Sequence, residues 1–240
     1  RFYSKDNVFF LEDTDRWNYI KDNSKSNKIF TYIDDAFRNI EKNNPSLKGA
    51  LPIGFYITLH IEPSKFSSLI DEIDRLQYSQ GEADDVIGRV YEYFLKKFCI
   101  AAKSEKGEFY TPANIVELMT LLIQPYSGSV YDPCCGSGGM FVQSAEFIKR
   151  HQGNKKDITI YGQESNDKTY KLARMNLAIR GLNCDLGDMD ASTFSSDKHP
   201  NLRADFILAN PPFNLKNWRT ENELKNDRRW DGYEVPPVSN

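Results

Sequence analysis

Cysteine and histidine are scarce in this sequence. The four cysteines, Cys99, Cys134, Cys135 and Cys184, form no Cys-x-x-Cys pair, and the three histidines, His60, His151 and His199, are scattered. That spacing speaks against a structural zinc site, and no metal is expected. Reduced thiols in a cytoplasmic protein are the simplest reading. Long apolar runs are missing too: none approaches the roughly 18 residues of a membrane span. No signal-peptide pattern opens the chain, so no membrane association is expected. An excess of one charge is also lacking, with 31 basic against 34 acidic residues and a net of −3. A free-standing nucleic-acid binder usually carries a basic surplus. If the chain works on DNA, a partner or a local patch must supply much of the phosphate attraction. There is no internal repeat and no low-complexity tract. Because the first residue is Arg1 rather than Met, the chain is expected to begin inside a longer protein.

What is present suffices for a real core: 240 residues, 40% hydrophobic and 13% aromatic. This fits one substantial domain and a smaller one, and disorder is not the default. Helical periodicity predicts a helix over about 29–41, with Ile29, Ile33, Ala36, Phe37 and Ile40 on one face. It predicts another over about 64–76, with Phe66, Leu69, Ile70, Ile73 and Leu76, and a third over about 84–100. Asn-Asn-Pro at 43–45, Gly49, Pro52, Gly54 and Pro63 break the chain between the first two. The aromatics Tyr32, Phe37, Phe55, Tyr56 and Phe66 suit either partner docking or internal packing.

After about residue 127 the pattern changes. Strands are predicted at 129–132, 158–162 and 204–209, and helices at 138–150 and 167–180, the latter ended by Gly181. This alternation indicates parallel βαβ units and a doubly wound α/β sheet. The expected organisation is a mostly helical segment over 1–80 and an α/β domain over 81–240.

Three motifs carry chemistry. Asp132-Pro-Cys134-Cys-Gly136-Ser137-Gly138-Gly-Met140 joins a predicted strand to a predicted helix. Glycines there let the backbone approach a ligand, and Asp132 can accept from a cationic amine. Taken alone this is a tight turn. No Gly-x-x-x-x-Gly-Lys is present, which disfavours a P-loop nucleotidase. Glu164, after Tyr161-Gly-Gln, sits where a carboxylate can bind both hydroxyls of a ribose, although in isolation it reads as a solvated loop carboxylate. Together the two describe a site for an adenosine-containing cofactor. Asn210-Pro211-Pro212-Phe213 follows the apolar strand and is the most specific of the three. Its Asn oxygen and a neighbouring carbonyl can accept from an exocyclic amine, its prolines fix the turn, and Phe213 can stack on a base.

Residues 84–240 resemble the modification (methyltransferase) subunit of type I restriction-modification systems. The resemblance rests on Gly107-Glu-Phe-Tyr-Thr-Pro112, Asp132–Met140, Gly162-Gln-Glu164, Arg174-Met-Asn-Leu-Ala178 and Asn210–Phe213. The segment Asn43-Asn-Pro-Ser-Leu-Lys-Gly49 looks like the end of that family's N-terminal helical domain. The resemblance implies a Rossmann-like S-adenosylmethionine-dependent methyltransferase in a prokaryotic cytoplasm, acting on adenine N6 of double-stranded DNA. It also implies a specificity subunit and, in the full complex, a restriction subunit as partners. Phe109, Tyr110, Thr111 and Pro112 would flank the methionine portion of the cofactor. Asp132, Cys134, Gly136, Ser137 and Gly138 would surround its amino-acid end, and Glu164 would hold its ribose. Asn210, Pro211, Pro212 and Phe213 would hold the target adenine. Thr111 reads equally well as a helix cap.

Two departures stand out. The family's Ala-Asp-Thr-Phe block becomes Asp190-Ala-Ser192-Thr193-Phe194, leaving Asp190 or Asp188 to face the cofactor's adenine. The chain also stops at Asn240, before the family's remaining strands and helical tail, so a fragment, or a sheet with an unpaired central edge completed elsewhere, is expected. Methyl transfer to an extruded adenine needs no covalent enzyme intermediate, and Cys134 and Cys135 read as packing residues rather than nucleophiles. The charged stretch containing Lys216, Arg219, Lys225, Arg228 and Arg229 reads as a mixed solvated loop or as a phosphate contact. A protein-glutamine N5 methyltransferase uses a similar tetrapeptide but typically with Tyr at the place of Phe213. A non-catalytic cofactor- or DNA-binding subunit is the other alternative.

Overall fold

A computed structural model describes residues 8–75, 88, 90, 91, 93, 94, 111–187, 191–212 and 217–238. The chain divides into two compact units, Arg1–Tyr91 with Ala178–Gly181, and Glu92–Leu177 with Leu182–Asn240. Among the described residues no helix is long and apolar enough to cross a membrane.

The first unit is helical: α1 (Trp17–Asp22), α2 (Ile29–Asn43), α3 (Phe55–Thr58) and α4 (Pro63–Arg75). On α2 the buried stripe is Ile29, Ile33 and Ala36, the i, i+4, i+7 face that the sequence predicts. On α4 the stripe is narrower than predicted, because Phe66 and Ile70 are buried while Leu69 and Ile73 are exposed. Phe66 fills the gap with its ring, 5.0 Å from Phe30 and 5.4 Å from Tyr56 between centroids. Tyr32, Phe37 and Tyr56 also pack against this core, so of the five aromatics only Phe55 is exposed.

The broken stretch after α2 is shaped by side chains. Asn44 donates Nδ2 to the Phe10 carbonyl and accepts the Phe10 N–H, both at 2.8 Å. The Glu41 carboxylate accepts the N–H groups of Gly49 and Leu51 at 2.9 and 2.8 Å, and buried Asp34 accepts that of Gly54 at 3.0 Å. Gly49 and Gly54 both sit at positive φ, where glycine is the least strained choice. The helix expected over 84–100 is helical at 88, 90, 91, 93 and 94, and the rest of it lies outside the described residues.

The second unit holds α5 (Ala113–Ile123), β1 (Gly128–Asp132), α6 (Gly139–Arg150), β2 (Ile158–Gly162), α7 (Asp167–Ile179), β3 (Cys184–Asp185) and β4 (Phe206–Ile207). The strands form a parallel sheet in the order β3-β2-β1-β4. The central pair runs in register from Gly128 opposite Ile158 to Asp132 opposite Gly162. Val130, Ile158 and Ile160 point into a core with Phe141 and Ile148 of α6, Ala173 and Leu177 of α7, and Val116 of α5. Among the described residues, these helices cover one face of the sheet. The opposite face carries Tyr131, Tyr161 and Ile207; the two tyrosines meet His199, and Ile207 is 65% exposed.

The helix expected at 167–180 ends at its glycine. Gly181 takes φ +62°, and the Leu182 N–H returns to the Leu177 carbonyl at 3.0 Å. The strand expected over 204–209 shrinks to Phe206–Ile207. Asp205 is the reason: its carboxylate takes the Ser129 N–H at 2.8 Å and its own N–H goes to the Ser129 hydroxyl at 2.9 Å. Side chains thus replace the ladder where β4 would begin. β4 lies at the edge of the described sheet rather than inside it, and the Leu208 N–H still reaches the Tyr131 carbonyl at 3.0 Å, carrying the chain along β1 toward Asn210.

Candidate active site

The site gathers at the carboxyl ends of β1, β2 and β4, the end of a parallel sheet where ligands bind. After β1 the chain turns through Gly136 (φ +55°) and Gly138 (φ +82°) into α6. A Cβ on Gly136 would meet nothing within 4 Å, so this glycine borders open space. A Cβ on Gly138 would lie 3.6 Å from Leu177, so this glycine lets the turn pack on α7.

Polar groups hold the loop at nearly every step. The Cys134 N–H donates to Asp132 Oδ1 at 3.0 Å, and the Cys135 N–H to the Gln163 carbonyl at 2.9 Å. The Gly136 N–H donates to Glu164 Oε2 at 3.1 Å, and Glu164 Oε1 accepts the Asn166 N–H at 2.8 Å. Asn176 Nδ2 donates to the Ser137 carbonyl at 2.7 Å, and the Thr193 hydroxyl donates to the Pro133 carbonyl.

Asp132 is only 2% exposed. Burial pushes its carboxyl up to about 7, opposed by the Cys134 N–H and reinforced by the nearby charge of Glu164. Burial, aided by Asp132, pushes the Cys134 thiol up to about 12, and Cys135 lies well above its ordinary value for the same reasons. Burial thus favours the neutral form of both thiols, which fits packing residues better than nucleophiles.

Asn210 joins the loop from the far strand. Its backbone N–H is directed at the Cys134 thiol, and its side-chain Nδ2 donates to the Thr111 hydroxyl at 3.0 Å. Thr111, Cys134 and Asn210, one from each of three predicted blocks, therefore meet. Thr111 does not cap α5; the residue at that position is Pro112, and no side chain caps the turn. Pro211 and Pro212 are exposed. Phe109, Tyr110, Asp188, Asp190 and Phe213 lie outside the described residues.

The charged stretch after Asn210 serves largely to knit the protein together. Arg229 donates to the carbonyls of Thr193 and Phe194 and pairs with Asp227. Arg219 donates to the carbonyls of Thr220, Glu221 and Pro236, and Lys225 to Asn222. These contacts favour a structural loop over a phosphate contact for these three cations.

Two organising residues escaped sequence reasoning. Gln163 is fully buried; its Nε2 donates to the Ala191 and Ser196 carbonyls, and its Oε1 accepts the Lys198 N–H at 2.8 Å. It anchors the loop after position 190 to the tip of β2. Asn176 is a buried amide on the apolar side of α7, and no local pattern in the sequence marked it as buried.

The parallel order, the glycine turn after β1 and the acid after β2 define a Rossmann-like α/β fold. The same fold occurs in the methyltransferase subunit of a type I restriction-modification system from Streptococcus thermophilus, with a TM-score of 0.78 and 23% identity, over 99% of this chain and 52% of that one. The chain belongs to the N-6 DNA methylase family, which it matches over residues 82–240. It is 43% identical over 226 residues to the type I restriction enzyme HindI methylase subunit of Haemophilus influenzae, covering 90% of this chain and 50% of that one. It is 35% identical over 228 residues to the MjaIX methylase subunit of Methanocaldococcus jannaschii, covering 94% of this chain and 40% of that one. The chain thus spans about half the length, or less, of these curated relatives.

Proposed function

We propose that this chain is the catalytic part of a site-specific DNA methyltransferase that moves a methyl group from S-adenosylmethionine to adenine N6. Residues 81–240 are the catalytic domain in this reading, and 1–80 the end of a helical N-terminal domain. The observation that carries it is Asn210, fixed through Nδ2 at the carboxyl end of the sheet, beside the glycine loop.

The residues fit the cofactor. Gly136 leaves open space beside the loop, Asp132 offers a buried carboxylate for a cationic amine, and Glu164 sets a carboxylate at the tip of β2, where a ribose acid binds in such sheets. When bound, S-adenosylmethionine supplies a methyl group made electrophilic by its sulfonium. Adenine N6 is a weak nucleophile because its lone pair is conjugated with the ring. Asn210 Oδ1 and the Pro211 carbonyl accept its two N–H bonds, which favours a tetrahedral nitrogen with its lone pair aimed at the methyl. Held by Asp132 and Glu164, the cofactor would supply its methyl in a single displacement and leave as a neutral thioether, and the surplus proton on nitrogen would pass to solvent. The gain is positioning and electrostatics.

The target base must be extruded from duplex DNA, and base contacts must select the site. A net charge of −3 and the internal engagement of Arg219 and Arg229 support delegation of that task to a specificity subunit. A restriction subunit completes the complex, and the setting is a prokaryotic cytoplasm. The test is radiolabelled methyl transfer by the full-length protein, with and without its specificity subunit, followed by nucleoside analysis. The label is expected in N6-methyladenine and to depend on that subunit. Label in protein glutamine, or none at all, would defeat the reading.

A further inference from the structure

Thr111 precedes α5, where a threonine ordinarily accepts an N–H of the first helical turn. It makes no such bond, and the turn has no side-chain cap. Its hydroxyl instead accepts from Asn210 Nδ2 at 3.0 Å, bridging residues 99 positions apart. The Asn210 backbone N–H faces the Cys134 thiol. Among the described residues, Asn210 Oδ1 has no donor.

We propose that Thr111 is a positioning residue that orients the Asn210 carboxamide. The inference rests on the functional reading above and deepens it. A carboxamide has two ends of nearly equal shape, one accepting and one donating. Turned over, Asn210 would present an NH2 group to the amine N–H, donor against donor. Accepting from Nδ2, Thr111 leaves Oδ1 toward the target. A hydroxyl has a single proton. Once that proton is donated elsewhere, as to a ligand carboxylate, only lone pairs remain for Asn210, and the reversed amide loses its partner. Thr111 then acts through Asn210 rather than on the base.

Thr111→Val keeps the shape and removes the acceptor; Thr111→Ser keeps the acceptor. In the full-length protein with its specificity subunit and duplex DNA, Thr111→Val is expected to slow single-turnover methyl transfer about ten- to a hundredfold, as misorientation of an attacking group does. The dissociation constant for S-adenosylmethionine is measured beside it, and the rate at saturating cofactor should fall at least about tenfold further than that affinity, since the hydroxyl's own contact to the ligand accounts for the affinity alone. Thr111→Ser should restore most of the rate. A loss of cofactor affinity as large as the loss of rate overturns the inference, as does an unchanged rate. The side-chain amide protons of Asn210, followed by NMR in selectively labelled cofactor-free protein, give a readout independent of turnover. They should shift and exchange faster in Thr111→Val, and an unchanged signal overturns the inference. A wild-type complex that puts no methyl on adenine overturns the functional reading instead, and is told apart because the amide signal still responds to Thr111→Val.

Discussion

Glu164 at the tip of β2 holds Gly136 of the loop after β1, accepting its N–H at 3.1 Å. The other carboxylate oxygen takes the Asn166 N–H at 2.8 Å, just before α7. One side chain therefore joins the two turns that build the proposed cofactor site, in addition to the ribose contact expected of it.

Glu164→Ala should accordingly show two effects. Charge-assisted hydrogen bonds contribute about 1.5–3 kcal/mol each. Loss of ribose contacts should weaken S-adenosylmethionine at least about tenfold, which corresponds to about 1.4 kcal/mol. Release of Gly136 should also lower the melting temperature of the cofactor-free protein. Calorimetry and thermal unfolding measure the two separately. An unchanged cofactor dissociation constant would leave Glu164 a purely structural carboxylate.

Asp132 predicts a pH dependence. Its folded carboxyl lies near 7, against an unfolded value near 3.8. Between those values the folded protein keeps a proton that the unfolded chain releases, so this group's contribution to stability is full below about pH 4 and is lost as pH rises through 7. Cofactor binding runs the other way, because the cationic amine needs the carboxylate. Affinity should rise about tenfold between pH 6 and 8, following the ionised fraction of a group titrating near 7. Asp132→Asn should bind weakly and show no such rise. A pH-independent wild-type affinity would remove Asp132 from the amine site.

Arg229 is expected to act on structure rather than on DNA. It holds the Thr193 and Phe194 carbonyls, and Thr193 in turn donates to Pro133 of the glycine loop. Arg229→Gln should lower the melting temperature while leaving the salt dependence of DNA binding unchanged in the complex. A phosphate contact would instead reduce the slope of log affinity against log salt by about 1.

Much of this was legible in the sequence. The periodicities at α2, α6 and α7, the strands β1 and β2, and the stop at Gly181 lie within two or three residues of expectation, because local pattern and burial agree there. The blocks that meet at Asn210 were legible as separate motifs. Their junction through Thr111 was not, since the threonine also fits a helix start and only the fold turns its hydroxyl elsewhere. β4 came out short because Asp205 and Ser129 exchange side-chain bonds over a distance in sequence that no local pattern reports. Gln163 and Asn176 were missed because a polar residue near a strand or helix reads as exposed until tertiary contacts bury it. The arginines after Asn210 were ambiguous because their partners are backbone carbonyls, which sequence does not display.

The most direct test of the account is Asn210→Ala in the full-length complex, with N6-methyladenine formation and S-adenosylmethionine affinity measured on the same preparation. Asn210 is assigned to the acceptor amine and not to the methyl donor. Methyl transfer should fall by at least about a hundredfold, the scale of losing an oriented electrostatic contact in the transition state, while the cofactor dissociation constant changes less than about threefold. Loss of cofactor affinity to match the loss of rate, or methylation that persists near the wild-type rate, would contradict the account.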